Sequence, residues 1–181
     1  MFRSKFRSFR PAALLGAVLA LTLAGVATRS HAEDNRAPVV PTDIQVDEGY
    51  KVHFQGHAVG VQIYTWDGSS WGASVPEATL YDTDGNIVAV HYGGPTWESN
   101  SGSKVVAAVV LPRVTVDPTA IPWLKLRATH TEGPGTFAST AFIHRVNTVG
   151  GKAPSEPGLT VGQVARVPYS ADYFFYREAS Y

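Results

Sequence analysis

Cysteine is absent from all 181 residues of the chain. That excludes disulfides, thiol redox chemistry, cysteine-ligated metal sites and a lipidated-thiol anchor. Acidic side chains are missing from the first 32 residues, which carry Arg3, Lys5, Arg7, Arg10 and Arg29. The chain also lacks a second long apolar run after the one at its start. No Arg-Arg pair stands in the basic opening, and no stripe of Lys and Arg appears later. Gly-x-Gly-x-x-Gly after a strand, Gly-x-x-x-x-Gly-Lys-Ser/Thr, Gly-x-Ser-x-Gly and His-Glu-x-x-His are all absent. Nucleotide cofactors, α/β-hydrolase chemistry and zincin proteolysis therefore have no motif to stand on. The expectation is of no cofactor.

The basic opening leads into an apolar run from Pro11 to Ala27 and then Ser30-His31-Ala32. This is the three-part layout of a secretory signal, with small residues at the −3 and −1 positions. The run of roughly 17 residues is short for a ~30 Å hydrocarbon core. Cleavage after Ala32 is expected, giving an exported protein, periplasmic or extracellular, with no transmembrane anchor. Ten basic residues then remain against 15 acidic ones, an excess of five negative charges. Nucleic acid, which is held by clustered cations, is not an expected partner.

Residues 1–32 thus read as a signal peptide, 33–48 as a flexible lead-in with Pro38 and Pro41, and 49–181 as a single β-domain. About 149 residues suffice for one core without covalent staples. No helical period is convincing after the leader. Short β-favouring runs alternate instead with turn residues, which predicts an all-β, antiparallel sandwich or barrel. Lys51–Gln55 and Val61–Trp66 read as strands joined by a turn at Gly56–Gly60. Ala78–Tyr81 and Ile87–His91 flank Asp82-Thr83-Asp84-Gly85-Asn86, an Asp-Gly hairpin signal. Val105–Leu111 reads as a strand buried on both faces. In Trp123–Ala128, Leu124, Leu126 and Ala128 share one face. Phe137–Val146, Val164–Val167 and Asp172–Tyr176 complete the strands.

The segment richest in chemistry is His91-Tyr92-Gly93-Gly94-Pro95-Thr96-Trp97-Glu98. A two-residue turn at Gly93-Gly94 would put Glu98 diagonal to His91 on one face, about 7 Å away. A carboxylate there would raise and orient the imidazole for proton transfer. His91 and Glu98 are therefore a candidate acid–base pair, with Arg145 as the group that stabilises negative charge. Trp97, Trp123, Asn147 and Tyr173 are candidate ligand contacts, since aromatic faces beside polar groups suit sugar rings and small apolar molecules. Arg145 and Asn147 share strand parity, so both can enter one cavity or both bind backbone in a corner. His53 and His57 are four apart, about 13 Å along a strand, too far to share a metal. Asp82–Asn86 does not match a calcium loop, because Gly85 stands fourth and Gly93 twelfth. No metal is expected.

Several blocks occur in order: Gly60-Val61-Gln62-Ile63-Tyr64-Thr65, Pro76-Glu77-Ala78-Thr79-Leu80, Gly94-Pro95-Thr96-Trp97-Glu98 and Gly102-Ser103-Lys104-Val105. Ile121-Pro122-Trp123-Leu124, the run from Arg145 to Pro154, and Val167-Pro168-Tyr169-Ser170-Ala171-Asp172-Tyr173 follow. Together they resemble the secreted bacterial and fungal family catalogued as domain of unknown function 3455. The resemblance implies export and one β-domain, and it supplies no reaction. Relatives look to carry cysteines where this chain has Trp66 and near its Pro157 or Gly158. A disulfide pair lost as a unit implies that these two regions are neighbours in space.

Three functions are compatible with these residues. One is a non-enzymatic binding module for a glycan or small ligand, in a cleft near Trp97, Trp123 and Tyr173. Another is a structural or stress-related surface protein without a ligand. The last is a secreted hydrolase or lyase using His91 and Glu98.

Overall fold

Period-two alternation needs one buried face per strand, and a sheet that curls onto itself supplies that face without a second layer. The computed structural model describes residues 37–179 and shows this closure. The strands are β1 (Tyr50–Thr65), β2 (Val75–Tyr81), β3 (Ile87–Tyr92), β4 (Thr96–Ser99), β5 (Lys104–Val114), β6 (Trp123–Glu132), β7 (Phe142–Gly150) and β8 (Val164–Glu178). Each pairs antiparallel with the next, and β8 pairs back onto β1, so the sheet is a closed barrel in sequence order. Of the two all-β architectures expected, the barrel is the one adopted. The expected signal peptide lies outside the described residues. No helix among the described residues is long and apolar enough to cross a membrane.

The lumen is filled by small and large side chains in opposition. Ala58, Ala78, Ala89, Ala107 and Ala171 leave room for Trp97, Tyr173 and Phe175. One end is sealed by three phenylalanines, with Phe137 4.7 Å from Phe175 and 5.5 Å from Phe54 between ring centroids. Phe137 belongs to the β6–β7 connection, not to a strand as its β propensity suggested, and its N–H donates to Ser103 Oγ at 3.0 Å.

Three further expectations about the strands are corrected. Gly56–Gly60 is no turn: it lies inside the continuous 16-residue β1. A Cβ on Gly60 would strike Ala78 and the Glu77 carbonyl of β2, so Gly60 marks close backbone approach rather than chain reversal. The runs Val164–Val167 and Asp172–Tyr176 are likewise one strand, β8. Val105–Leu111 is buried on one face only, since Val105 and Ala107 face the lumen whereas Ala108, of opposite parity, is exposed. A barrel has just one dry face per strand unless something covers the outside.

Something does cover part of it. The end of the segment expected as a flexible lead-in is docked, with a short 3-10 turn at Thr42–Ile44. Ile44 is fully buried. Its carbonyl accepts from His144 Nε2 at 2.7 Å, and Lys125 Nζ donates to the Gln45 carbonyl at 2.7 Å. Val40, Val46 and Tyr50 pack on the outward-facing Val52, Val146, Phe174 and Tyr176. Apolar outward residues on β7 and β8 explain why this proline-bearing segment is held.

Candidate functional site

The sealed end leaves the opposite end of the barrel less filled, and a cavity of about 170 Å³ opens there. Its rim is set by Ala73 and Ser74 from the β1–β2 connection, Pro95 from the β3–β4 turn and Arg113 near the end of β5. Its walls are the apolar side chains of Val109, Leu124 and Leu126 with Pro76. Gln62, His91, Trp97, Arg145 and Tyr173 bring the polar chemistry.

His91 and Trp97 reach the lumen together because they are directly paired on β3 and β4. Their rings stack with centroids 4.1 Å apart. His91 Nδ1 lies 2.8 Å from the Thr96 carbonyl, which can only accept. The neutral imidazole thus holds its proton on Nδ1 and its lone pair on Nε2. Burial, reinforced by the nearby Arg145 charge and opposed by the Thr96 bond, holds its pKa down at about 3.

Arg145 sits on β7 between Leu124 of β6 and Tyr173 of β8. Its Nε and Nη2 donate to the Pro122 carbonyl at 3.2 and 2.9 Å. That fixes the guanidinium while leaving part of its donor fork uncommitted. Tyr169 and Tyr173 are close enough to influence each other's ionisation, and burial raises both phenols. Gln62, Tyr169, Tyr173 and Arg145 form a row whose polar ends approach one another closely enough to couple. Yet neither hydroxyl nor Gln62 Nε2 reaches full hydrogen-bond geometry, and Trp97 Nε1 has no partner either. The side chains of Gln62, Trp97, Tyr169 and Tyr173 are at least nine-tenths buried.

Of the residues singled out in the sequence, His91, Trp97, Arg145 and Tyr173 meet at this cavity. Glu98 does not, and the expected His91–Glu98 acid–base pair does not form. Pro95 cannot complete a two-residue turn, so Gly93-Gly94-Pro95 makes a three-residue connection with Gly94 at φ +81°. The register moves by one, Glu98 pairs with Val90, and its side chain lands on the outer face. There it accepts from Tyr92 Oη at 2.8 Å, with Lys104 Nζ 4.0 Å away.

Asn147 and Trp123 also stay outside the cavity. A register shift after Val146 and a φ of +50° at Asn147 break the parity with Arg145. Asn147 Nδ2 instead donates to Asp172 Oδ2 at 2.8 Å, while Asp172 Oδ1 lies 2.7 Å from His57 Nδ1. Trp123 has the opposite parity to the lumen residue Leu124 and packs half-buried against the outer apolar cluster.

Gln62, Arg113 and Tyr169 were not singled out from sequence. Gln62 carried a usable signal: it shares strand parity with Phe54 and Ala58, so it is a polar residue on the apolar face. Arg113 carried none, because its place at the mouth depends on irregular β5–β6 pairing between Val110 and Val114.

The regions around Trp66 and Pro157 are neighbours, as the resemblance implied. A Cβ on Gly158 would meet the Trp66 ring, and Trp71 Nε1 donates to the Glu156 carbonyl at 2.9 Å. No curated protein and no solved structure matches the chain. A family model described as "Protein of unknown function (DUF3455)" matches residues 47–177, from just before β1 to the end of β8. The chain belongs to that family.

Proposed function

We propose that the chain is an exported binding protein that takes one small ligand into the open end of its barrel. Four buried polar atoms without a protein partner, Gln62 Nε2, Trp97 Nε1, Tyr169 Oη and Tyr173 Oη, carry this reading. Each such atom costs on the order of 1–3 kcal/mol when nothing satisfies it. Three of the four side chains line a single cavity, and an incoming polar group would relieve them. Apolar residues complete the walls, so the ligand has both a polar and an apolar part. Eight-stranded barrels are wide enough for one such molecule. The cavity matches one ring in size, so a monosaccharide fits the reading better than a glycan chain. Export is supported by the basic, apolar and small-residue order of residues 1–32.

Thermal-shift and tryptophan-emission titrations of the purified protein test this reading with single-ring acids, alcohols, amides and monosaccharides. A saturable change is expected for at least one class, since Trp97 forms part of the wall. Tyr173→Phe should weaken that response several-fold while leaving the melting temperature within about 2 °C, because it removes a hydroxyl that no protein atom satisfies. If no compound in any class shifts either signal, the binding reading fails. Amino-terminal sequencing of protein recovered outside the cytoplasm should begin at Glu33, and an intact Met1 in the cytosol would end the export reading.

A further inference from the structure

We infer that the ligand is a single-ring carboxylate whose anionic group is held by Arg145. The inference rests on the binding reading above and deepens it. The cavity wall carries two guanidinium groups, Arg145 and Arg113, and no Asp or Glu. Among the described residues, no carboxylate lies within 4.0 Å of Arg145. A half-buried guanidinium cannot shed its charge by losing a proton, and removing it from water without a counter-ion is costly. The chain after residue 32 is rich in acids, yet none is placed here. The sign of the site is therefore opposite to that of the protein around it.

The unpartnered atoms agree with that sign. Trp97 Nε1 and Gln62 Nε2 are donors only, and Tyr173 Oη can donate. A carboxylate is the small group with matching demand, because its two oxygens accept about four hydrogen bonds. Arginine's planar fork suits it in the bidentate manner. The rest of the ligand must answer to Val109, Leu124 and Leu126, which offer only dispersion and water exclusion. A cavity of about 170 Å³ sets its size. An apolar cavity of roughly 150 Å³ takes a benzene ring in another protein. One ring bearing one carboxylate fills this site; a long acyl chain or a nucleotide does not fit.

The test compares benzoate, its neutral isostere benzamide and cyclohexanecarboxylate by isothermal titration calorimetry on the wild-type protein. Both acids should bind at least about tenfold more tightly than benzamide. Arg145→Gln should abolish that preference while benzamide binding survives. Arg145→Lys should keep part of it, because a point charge remains without the fork. Benzamide binding as tightly as benzoate to the wild-type protein would overturn the carboxylate inference and leave the cavity reading standing. Failure of all three rings, together with silence across the wider panel, would overturn both. The wild-type comparison needs no variant to fold, so it decides even if Arg145→Gln loosens the Pro122 segment.

Discussion

The imidazole of His91 lies on the indole of Trp97 with centroids 4.1 Å apart and planes 5° from parallel. Tyr173 meets both rings edge-on, at 5.2 and 5.3 Å. An imidazole held this way, buried and bonded through Nδ1 to a carbonyl, is a neutral wall element rather than an exposed base.

That arrangement makes the fold sensitive to acid. Burial lowers the pKa of His91 to about 3 and of His53 to about 4, and it also lowers that of His144. These groups bind protons less readily when folded than when unfolded, where the ordinary value is 6.5. Stability is therefore full above that value and is lost as pH falls from it toward 3–4. For His91, each pH unit inside this window lowers the folding constant by up to about tenfold. Urea midpoints should be nearly level between pH 7.5 and about 6.5 and fall progressively from there to pH 4, and His91→Gln should shallow that slope. A midpoint unchanged over that range would contradict the burial assigned to these histidines.

Gly60 and Gly85 should respond differently to the same added methyl. At Gly60 the methyl meets Ala78 and the Glu77 carbonyl across a paired strand, so the barrel wall must part. Gly60→Ala is expected to cost about 2–3 kcal/mol. At Gly85 the methyl meets nothing, and only the positive φ of +82° is strained. Gly85→Ala should cost about 1–2 kcal/mol. Denaturant melts of both variants give the comparison, and a smaller loss for Gly60→Ala would show that β1 and β2 are not so closely apposed.

Ile44 should count as core although it precedes the first strand. Its side chain is fully buried, and its carbonyl completes a chain from Tyr176 Oη through His144. Ile44→Ala should cost about 2–4 kcal/mol. A loss below about 0.5 kcal/mol in denaturant melts would mean that the segment is not part of the cooperative unit, since surface substitutions fall in that range.

The family resemblance placed a lost cysteine pair at Trp66 and near Pro157 or Gly158, and it is at Gly158 that a Cβ would meet the Trp66 ring. A Cβ built on Gly158 lies 2.8 Å from Trp66 Cβ, against about 3.8 Å in a relaxed disulfide. Opening the loop by about 1 Å is easy once the indole is gone. The double variant Trp66→Cys, Gly158→Cys should oxidise spontaneously and gain about 2–4 kcal/mol over its reduced form. Thiol titration and urea melts with and without reductant read the result; two free thiols in air would refute the geometry.

The candidate site was half legible in the chain. His91, Trp97, Arg145 and Tyr173 could be singled out as polar or aromatic residues in motif-dense segments, and they do converge. Glu98 could not be placed correctly, because its face depends on whether the Gly93-Gly94-Pro95 connection counts two residues or three. Asn147 failed for a related reason: a local bulge reverses parity, and nothing in Arg145-Val146-Asn147-Thr148 announces it. Gln62 was readable by parity, as a polar residue on the apolar face of β1.

By itself the sequence determined whatever is local or depends on composition. Alternation dictated strands, Asp-Gly dictated the turn between β2 and β3, and the missing cysteines dictated a fold held by burial. The family pattern tied residue 66 to the neighbourhood of residues 157 and 158 across a long stretch of chain. Only the tertiary structure decided which face of each strand is the lumen, that β1 runs unbroken through Gly56 and Gly60, and that residues near Ile44 close an outer apolar patch. Those outcomes belong to closure. Strand β8 must return to β1 in a register set by every turn and bulge between them, so one residue gained or lost anywhere moves side chains between solvent and cavity.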